Sequence, residues 1–325
     1  ARSLSAALAT GNACVIKSPE LTPLSHYIFA EAAEAAGLPD GALNILCGLG
    51  HQAGAALAAH RDVNQIVFTG SVATGIAIAS AAAENVVPCV LELGGKSPNL
   101  VFADCNLEER VTQSVAECMF NTGQSCDAPT RLLVERSCYD EVVEIARRAA
   151  EATAVGNPEE EGDHIGPLFD QIQFDRVQNM IQVGIDEGAT LLVGGLGRPK
   201  GFDAGWYVRP TVFSDVNNSM RIAQEEIFGP VLSIHVYEDS KFEEILGICD
   251  STSEYALTGS IFATNREDIE FAKDALRFSA GNFYINDKPT GAVVGQQPFG
   301  GARGLSLIHI SEPTRPLYIS YAVFC

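Results

Sequence analysis

Short apolar runs alternate with longer, alanine-rich amphipathic stretches from Ala13 onward. This alternation is typical of repeated β-α-β units around a parallel sheet. Thr22 is expected to cap the first helix, Pro23 to lie in its first turn, and Gly37 followed by Pro39 to end it. Strands are predicted near residues 13–17, 43–46, 65–68 and 87–93. This part is half of a doubly wound fold.

A second α/β segment follows Pro98. It begins with the strand-like run N-L-V-F-A-D and a helix predicted over residues 106–120. Further strands are predicted at residues 131–135, 207–213, 231–237, 259–263 and 281–286, separated by helical stretches such as 266–279. The pattern therefore predicts two α/β domains, residues 1–94 and 95–304, followed by a tail of residues 305–325.

Composition excludes several classes of partner. The net charge is −20 and the pI is near 4.6, so no basic surface is available to bind the phosphates of a nucleic acid. No apolar run approaches bilayer-spanning length, and the first ten residues lack the pattern of a signal peptide. We expect a protein that contacts neither nucleic acid nor membrane.

The nine cysteines are scattered, none in C-x-x-C spacing, and their number is odd. This distribution favours a reducing, cytoplasmic location. The six histidines form no H-x-x-x-H pair, so no metal site is predicted.

Two glycine-rich segments contain candidate catalytic groups. Glu92 stands in L-E-L-G-G-K-S-P-N and Cys126 in F-N-T-G-Q-S-C-D-A-P-T-R. A thiolate can add to a carbonyl carbon, and a carboxylate can deprotonate the water that later releases the acyl group. Residue type alone favours a small buried apolar residue for Cys126 and a capping or surface carboxylate for Glu92.

A third segment is a candidate phosphate site. Gly70, Ser71 and Gly75 follow an apolar run and precede a helical one, which would let backbone N–H groups approach a pyrophosphate at a helix N-terminus. Small residues in a tight turn explain this spacing equally well.

From Ala1 to about Gly304, and above all in the Glu92 and Cys126 segments, the chain resembles the NAD(P)-dependent aldehyde dehydrogenase family. The resemblance implies a partial Rossmann-like cofactor domain plus an α/β catalytic domain of the aldehyde dehydrogenase type, truncated at both ends. It also implies aldehyde oxidation through a thiohemiacetal and a thioester on Cys126, with Glu92 driving hydrolysis. Cys126 is expected where a loop enters a helix, whose N–H groups would lower the pKa of its thiol.

The resemblance assigns further residues. Lys17 and Glu20 would meet the adenosine ribose, and the Glu20 carboxylate favours NAD over NADP, although NADP stays possible. Glu226 would hold the nicotinamide ribose, and Phe228 would pack beside the nicotinamide ring. Phe299 would lie near the substrate mouth. On residue type alone, Lys17 and Glu20 suit a salt-bridged helix entrance and Glu226 an ordinary acidic turn.

Residues 250–303 resemble one branch of the family, 1-pyrroline-5-carboxylate dehydrogenase, in which Gly291 and Ala292 would anchor the α-carboxylate of glutamate γ-semialdehyde. Asp127 departs from that branch, which has a serine after the nucleophile to bind the substrate's α-carboxylate. An aspartate at this position would instead repel that carboxylate. We therefore consider a mosaic chain joined near residues 225–230.

The chain starts after the family's oxyanion asparagine, and residues 305–325 resemble translated sequencing-adapter read-through. The expected function is NAD-linked aldehyde oxidation in a parent protein that forms a homo-oligomer. The alternatives are acyl transfer to coenzyme A, against which Glu92 argues, and a dinucleotide-binding fragment without turnover.

Overall fold

The computed structural model describes residues 2–289 and 299–303. It has a first compact unit that ends at Leu93 and a second that begins at Gly94. The proposed substrate residues Gly291 and Ala292 and the tail 305–325 lie outside the described residues.

The first unit contains four helices and two parallel strand pairs, β1–β2 and β3–β4, among its described residues. Their bounds are α1 (Arg2–Ala9), β1 (Cys14–Lys17), α2 (Leu24–Ala35), β2 (Leu43–Leu46), α3 (Ala55–Ala58), β3 (Ile66–Thr69), α4 (Val72–Ala83) and β4 (Cys89–Glu92). A short π-helical turn, Gly50–Gly54, precedes α3. The four strands predicted from the apolar runs are confirmed within two residues at each end.

The first long helix, α2, shows one correct and one wrong boundary prediction. Pro23 occupies the N-cap position and no side chain caps the helix, so the predicted Thr22 cap is wrong. Gly37 ends the helix as predicted: its φ is +72°, and its N–H donates to the Glu34 carbonyl at 2.9 Å.

The second unit is built on a seven-stranded sheet with the order β12-β11-β5-β6-β9-β8-β7. The strands are β5 (Pro98–Val101), β6 (Arg131–Glu135), β7 (Thr190–Val193), β8 (Thr211–Ser214), β9 (Val231–Tyr237), β10 (Tyr255–Ala256), β11 (Thr258–Phe262), β12 (Asn282–Ile285) and β13 (Ala302–Arg303), of which β10 and β13 pair separately. The helices are α5 (Leu107–Met119), α6 (Tyr139–Ala152), α7 (Gln171–Asp186), α8 (Arg221–Gln224), α9 (Phe242–Ser251) and α10 (Arg266–Ala275).

The seven-stranded sheet is mixed, whereas the parallel pairing expected from Ala13 onward is present in both strand pairs of the first unit. β7 pairs antiparallel with β8 at the sheet edge, and the other ladders are parallel. The crossover between parallel neighbours is usually a helix, and residues 194–210 between β7 and β8 contain none.

Helices cover both faces of this sheet. One core cluster joins α5 and α6 to one face through residues such as Val111 and Ile145, and another joins α9 and α10 to the other face through residues such as Leu133 and Ile245. The central strands are buried on both faces, which explains their continuous apolar runs. A third cluster packs α7 and α8 beside β8.

Candidate active site

Three loops of the second unit meet because of the strand order. Residues 94–97, 120–130 and 225–230 lead into β5, β6 and β9, which are neighbours in the sheet and parallel to one another. The loops therefore lie at the same, amino-terminal edge of the sheet. Residues 120–130 contain Cys126 and residues 225–230 contain Glu226, while residues 94–97 belong to the glycine-rich segment that follows Glu92.

Glycines allow these loops to approach closely. A Cβ at Gly95 would lie 1.9 Å from the backbone oxygen of Cys126. A Cβ at Gly123 would lie 2.1 Å from the backbone oxygen of Gly229, and one at Gly94 would lie 2.1 Å from Oε2 of Glu226. The backbone contacts of Gly95 and Gly123 exclude a side chain at these two positions, whereas at Gly94 a Cβ would force the flexible Glu226 carboxylate to shift.

Cys126 lies in a turn that leads into strand β6. It follows α5 and a short 3₁₀ turn, and no helix begins at it. The prediction that Cys126 stands at a helix start, with helix N–H groups lowering the pKa of its thiol, is therefore wrong. Ala128, Pro129 and Thr130 continue into the strand.

The chain reaches Cys126 through an unusual backbone run. Asn121, Thr122 and Gly123 have φ values of +51°, +59° and +70°. A β-branched residue such as Thr122 adopts this conformation only where surrounding structure enforces it. Here the Thr122 hydroxyl donates to the Gly166 carbonyl at 2.9 Å. Such strain is typical of functional sites, and it sets the direction from which Cys126 is presented.

Cys126 is partly exposed, with polar groups on both sides. The Ser125 hydroxyl donates to Oδ1 of Asp127 at 2.5 Å, so a carboxylate lies beside the thiol-bearing residue. By contrast, burial raises the pKa of the Cys118 thiol to about 12, which makes that cysteine inert. The accessible Cys126 is the better nucleophile candidate.

The Glu226 carboxylate is largely buried beside the Gly94–Gly95 turn. Its Oε1 accepts the Gly95 N–H at 3.0 Å, and burial raises the pKa of Glu226. Its backbone oxygen accepts Nη2 of Arg176 at 2.6 Å. Phe228, two residues on, has a φ of +57°. A carboxylate has about four acceptor sites, so Glu226 can also accept ligand hydroxyl groups.

Lys96 was not selected from the sequence, although it lies in the Glu92 segment. Its side chain is 2% exposed, and its Nζ has no hydrogen-bond partner among the described residues. Burial, and then the charge of Arg131, lower the pKa of Lys96 to about 7. Its immediate neighbours in sequence, Gly95 and Ser97, are small, and no sequence signal indicated its burial.

In the first unit, Glu92 is the last residue of β4 and lies beside the proposed phosphate turn. The Gly70 N–H donates to the Glu92 backbone oxygen at 3.1 Å. Ser71 is the N-cap of α4, and its Oγ accepts the Thr74 N–H at 3.3 Å. A Cβ at Gly75 would lie 2.6 Å from the Leu93 side chain, so this glycine permits close helix–strand packing.

Lys17 and Glu20 form the salt bridge that was the alternative interpretation of this pair. Lys17 Nζ lies 2.5 Å from Oε2 of Glu20, and Oε1 accepts the Gly50 N–H at 3.2 Å. The hydrogen bond from Lys17 is the largest cause that lowers the pKa of Glu20, to about 2. The carboxylate is thus anionic at neutral pH.

The first unit contains groups that suit parts of a dinucleotide. The strand β3, the Gly70–Ser71 turn and the capped helix α4 form a helix N-terminus suited to a pyrophosphate, with a glycine at the helix–strand contact. Glu20 of the first unit has a carboxylate suited to ribose hydroxyls, and the second unit, taken by itself, has another in Glu226. Phe299 is partly buried in the segment that leads to β13.

Within residues 2–289 and 299–303, no helix is long and apolar enough to cross a bilayer. The same residues contain no group of three or more His, Cys, Asp and Glu side chains arranged to hold a metal ion.

The described residues combine an α/β fold with a partly exposed cysteine in a glycine-rich turn and a capped helix N-terminus after a strand. The chain matches the family model described as "Aldehyde dehydrogenase family" over residues 1–309. The chain belongs to the aldehyde dehydrogenase family.

Known proteins are similar to this chain over most of its length. A 3-succinoylsemialdehyde-pyridine dehydrogenase from Pseudomonas sp is 41% identical over 295 residues, covering 91% of this chain and 60% of the relative. An aldehyde dehydrogenase structure from Bartonella henselae has a TM-score of 0.87 at 40% identity and covers 93% of this chain and 62% of that one. Aldehyde dehydrogenase C from Pseudomonas syringae, solved as a mutant with NAD+ and octanal, has a TM-score of 0.87 at 40% identity, covering 93% and 61%. The chain thus spans about three fifths of these relatives' length.

Proposed function

We propose that this chain belongs to an NAD-dependent enzyme that oxidises aldehydes to carboxylic acids, with Cys126 as nucleophile. The observation that carries this proposal is the convergence of the Cys126 and Glu226 loops on Gly94 and Gly95. The NAD-bound state of the Pseudomonas syringae relative supports the same cofactor.

In the proposed reaction Cys126 acts first and Glu92 second. The Cys126 sulfur forms a bond to the aldehyde carbon, and the carbonyl electron pair moves to the oxygen. The carbon bound to Cys126 then loses a hydride, for which bound NAD would supply the acceptor, and an acyl group stays on the Cys126 sulfur as a thioester. Glu92 takes a proton from water as that water attacks the thioester, releasing the acid and the free thiol.

The cofactor residues follow from the same proposal. Gly70, Ser71 and Gly75 would hold the pyrophosphate, Lys17 and Glu20 the adenosine ribose, and Glu226 and Phe228 the nicotinamide half. The anionic Glu20 favours NAD, because a carboxylate repels the 2′-phosphate of NADP. We further propose a cytoplasmic homo-oligomer.

We propose neutral aldehydes as the preferred substrates. The Asp127 carboxylate is one residue from the nucleophile. Two carboxylates about 7 Å apart repel by about 2 kcal/mol at an effective dielectric constant of about 20. Glutamate γ-semialdehyde is the second candidate, supported by the sequence of residues 250–303 alone.

A substrate panel tests both candidates. The kcat/KM for NADH production should be higher with hexanal than with succinic semialdehyde or glutamate γ-semialdehyde. Asp127→Asn should lower the ratio of the kcat/KM for hexanal to that for either semialdehyde by about tenfold. Glu160→Gln, which removes an exposed carboxylate from the same unit, is the matched control and should leave the ratio unchanged. A preference for glutamate γ-semialdehyde would support the second candidate instead, and no NADH from any aldehyde would refute the proposal.

A further inference from the structure

One side chain of α7 holds the backbone of the Glu226–Phe228 segment. Nε2 of Gln173 donates to the Ile227 carbonyl at 2.9 Å and to the Phe228 carbonyl at 2.8 Å. Both amide hydrogens of Gln173 are thereby used, and the residue is 6% exposed. The donor side of this buried amide therefore holds a single backbone segment.

These two hydrogen bonds determine the conformation of Phe228. Its φ and ψ are the torsions between the peptide planes that carry the Ile227 and Phe228 carbonyls. When both carbonyls point at the same nitrogen, the two planes are fixed relative to each other, and so are the torsions between them. The resulting φ of +57° is one that a phenylalanine rarely adopts without such support.

The orientation of Phe228 affects both neighbouring contacts. On one side, Glu226 binds the Gly95 N–H through its carboxylate. On the other side, the Gly229 backbone lies so close to Gly123 that a Cβ on Gly123 would lie 2.1 Å from the Gly229 oxygen. Relaxation of Phe228 to a negative φ would turn the chain between these two contacts and displace the Glu226 carboxylate or the Phe228 ring.

Gln173 is itself held rigidly. Its backbone N–H donates to Oδ1 of Asp170, the N-cap of α7, at 2.7 Å, which places Gln173 in the first turn of a 16-residue helix. One turn further, Arg176 donates to the Glu226 carbonyl at 2.6 Å. The start of α7 therefore contacts three consecutive carbonyls of the segment.

We infer that Gln173 is a positioning residue for the nicotinamide half of the cofactor site: its amide maintains the left-handed turn at Phe228 that aims Glu226 and the Phe228 ring. This inference rests on the proposed function for the roles of Glu226 and Phe228. It assigns to Gln173 no contact with the cofactor or substrate.

The test compares side chains of equal length with and without donors. Gln173→Met keeps the volume and loses both hydrogen bonds, and Gln182→Met removes an amide of the same helix that donates to Asp186. The dissociation constant for NAD, measured by calorimetry, should rise at least about tenfold in Q173M, which is about 1.4 kcal/mol, and stay within about twofold of wild type in Q182M. Alkylation of Cys126 by iodoacetamide without NAD should be unchanged in both.

A second variant provides for the case that Q173M does not fold. Gln173→Asn keeps a buried amide but is one methylene too short to reach both carbonyls, so NAD affinity should fall by an intermediate factor. With a neutral aldehyde, both variants should raise KM for NAD more than they lower kcat. A purely structural role would instead lower the amount of active protein and leave KM unchanged.

The outcomes separate this inference from the proposed function. Wild-type affinity for NAD in folded Q173M or Q173N would overturn the inference while leaving the function intact. Wild-type protein that binds NAD but oxidises no aldehyde would refute the function, and the Q173M comparison would still decide the inference. If the wild type binds no NAD, both are overturned.

Discussion

Gly94 shows how single glycines determine the approach of the catalytic loops. A Cβ at this position would lie 2.1 Å from Oε2 of Glu226, and that carboxylate is the flexible partner of the contact. We expect Gly94→Ala to displace the Glu226 carboxylate and to weaken NAD binding by about tenfold or more, while Cys126 still reacts with iodoacetamide. Calorimetry and mass spectrometry of the labelled peptide measure the two effects.

Gly247 is the matched control for this substitution. It lies inside α9, and a Cβ there would meet nothing within 4 Å. Gly247→Ala should bind NAD as the wild type does and should be more stable by up to about 1 kcal/mol, since alanine favours the helix. Equal NAD affinity in G94A and G247A would show that the Gly94 contact is not needed.

The lowered pKa of the buried Lys96 predicts how the stability of the protein depends on pH. Its pKa is about 7 in the folded protein and 10.5 as a reference value, so the folded state binds fewer protons between these values. Below about pH 7 the buried ammonium destabilises the fold in full, and this penalty decreases by up to about 1.4 kcal/mol per pH unit as the pH rises toward 10.5.

The substitution Lys96→Met removes this penalty at every pH. Its stability advantage over the wild type, measured by urea unfolding, should therefore be largest near pH 7 and shrink toward pH 10. An advantage that does not change with pH would contradict the buried, unpaired state of Lys96.

The residues that could be predicted from sequence are those inside contiguous motifs. Cys126, Glu92 and Glu226 stand out because their immediate neighbours are informative. Gln173 could not be found in this way, because its partners are backbone carbonyls 54 and 55 positions further along the chain. Lys96 was missed because burial of a charged residue has no local sequence pattern.

At the level of elements, apolar periodicity predicted the strands with continuous apolar runs well and the antiparallel edge strand β7 poorly. β6 and β9 were predicted with the bounds that the structure shows, since fully buried strands have continuous apolar runs. The four-residue edge strand β7 was not predicted, and the strand predicted over 207–213 begins only at Thr211. The Cys126 turn was assigned to a helix start because glycine and serine are common in helix caps and in turns alike.

The N-terminus of α7 provides a prediction at this scale. Oδ1 of Asp170 accepts the Gln173 N–H at 2.7 Å, so Asp170→Ala should lower the free energy of unfolding by about 1 kcal/mol. Asp175→Ala removes an exposed carboxylate from the same helix and should change stability by less than about 0.5 kcal/mol. Equal effects of the two substitutions would contradict the cap.

At the scale of the whole molecule, the two units differ in how much they bury. In the first unit, α2 has no buried residue, and Leu24 and Ile28 are 76% and 66% exposed. The second unit contains three buried clusters. Backbone amides of β1–β4 should therefore exchange with deuterium faster than those of β5, β6 and β9. Equal protection, measured by mass spectrometry, would contradict this difference.

Sequence-based reasoning succeeded at this scale where it depended on order along the chain. The α/β class follows from the alternation of apolar runs and amphipathic stretches. The strand order that brings β5, β6 and β9 together does not, because it depends on which buried strands pair across more than 90 residues. That pairing is what places the Cys126 and Glu226 loops at one edge of the sheet.

The central claim is that Cys126 becomes acylated and Glu92 drives its release. The direct test is Glu92→Gln mixed with hexanal and NAD, followed by mass spectrometry of the cysteine-containing peptides. The account predicts a burst of NADH and a hexanoyl group that accumulates on Cys126 in this variant but not in the wild type. An acyl group on another cysteine would contradict the account. So would the absence of any acyl group together with an NADH yield no higher than that of a Cys126→Ala control.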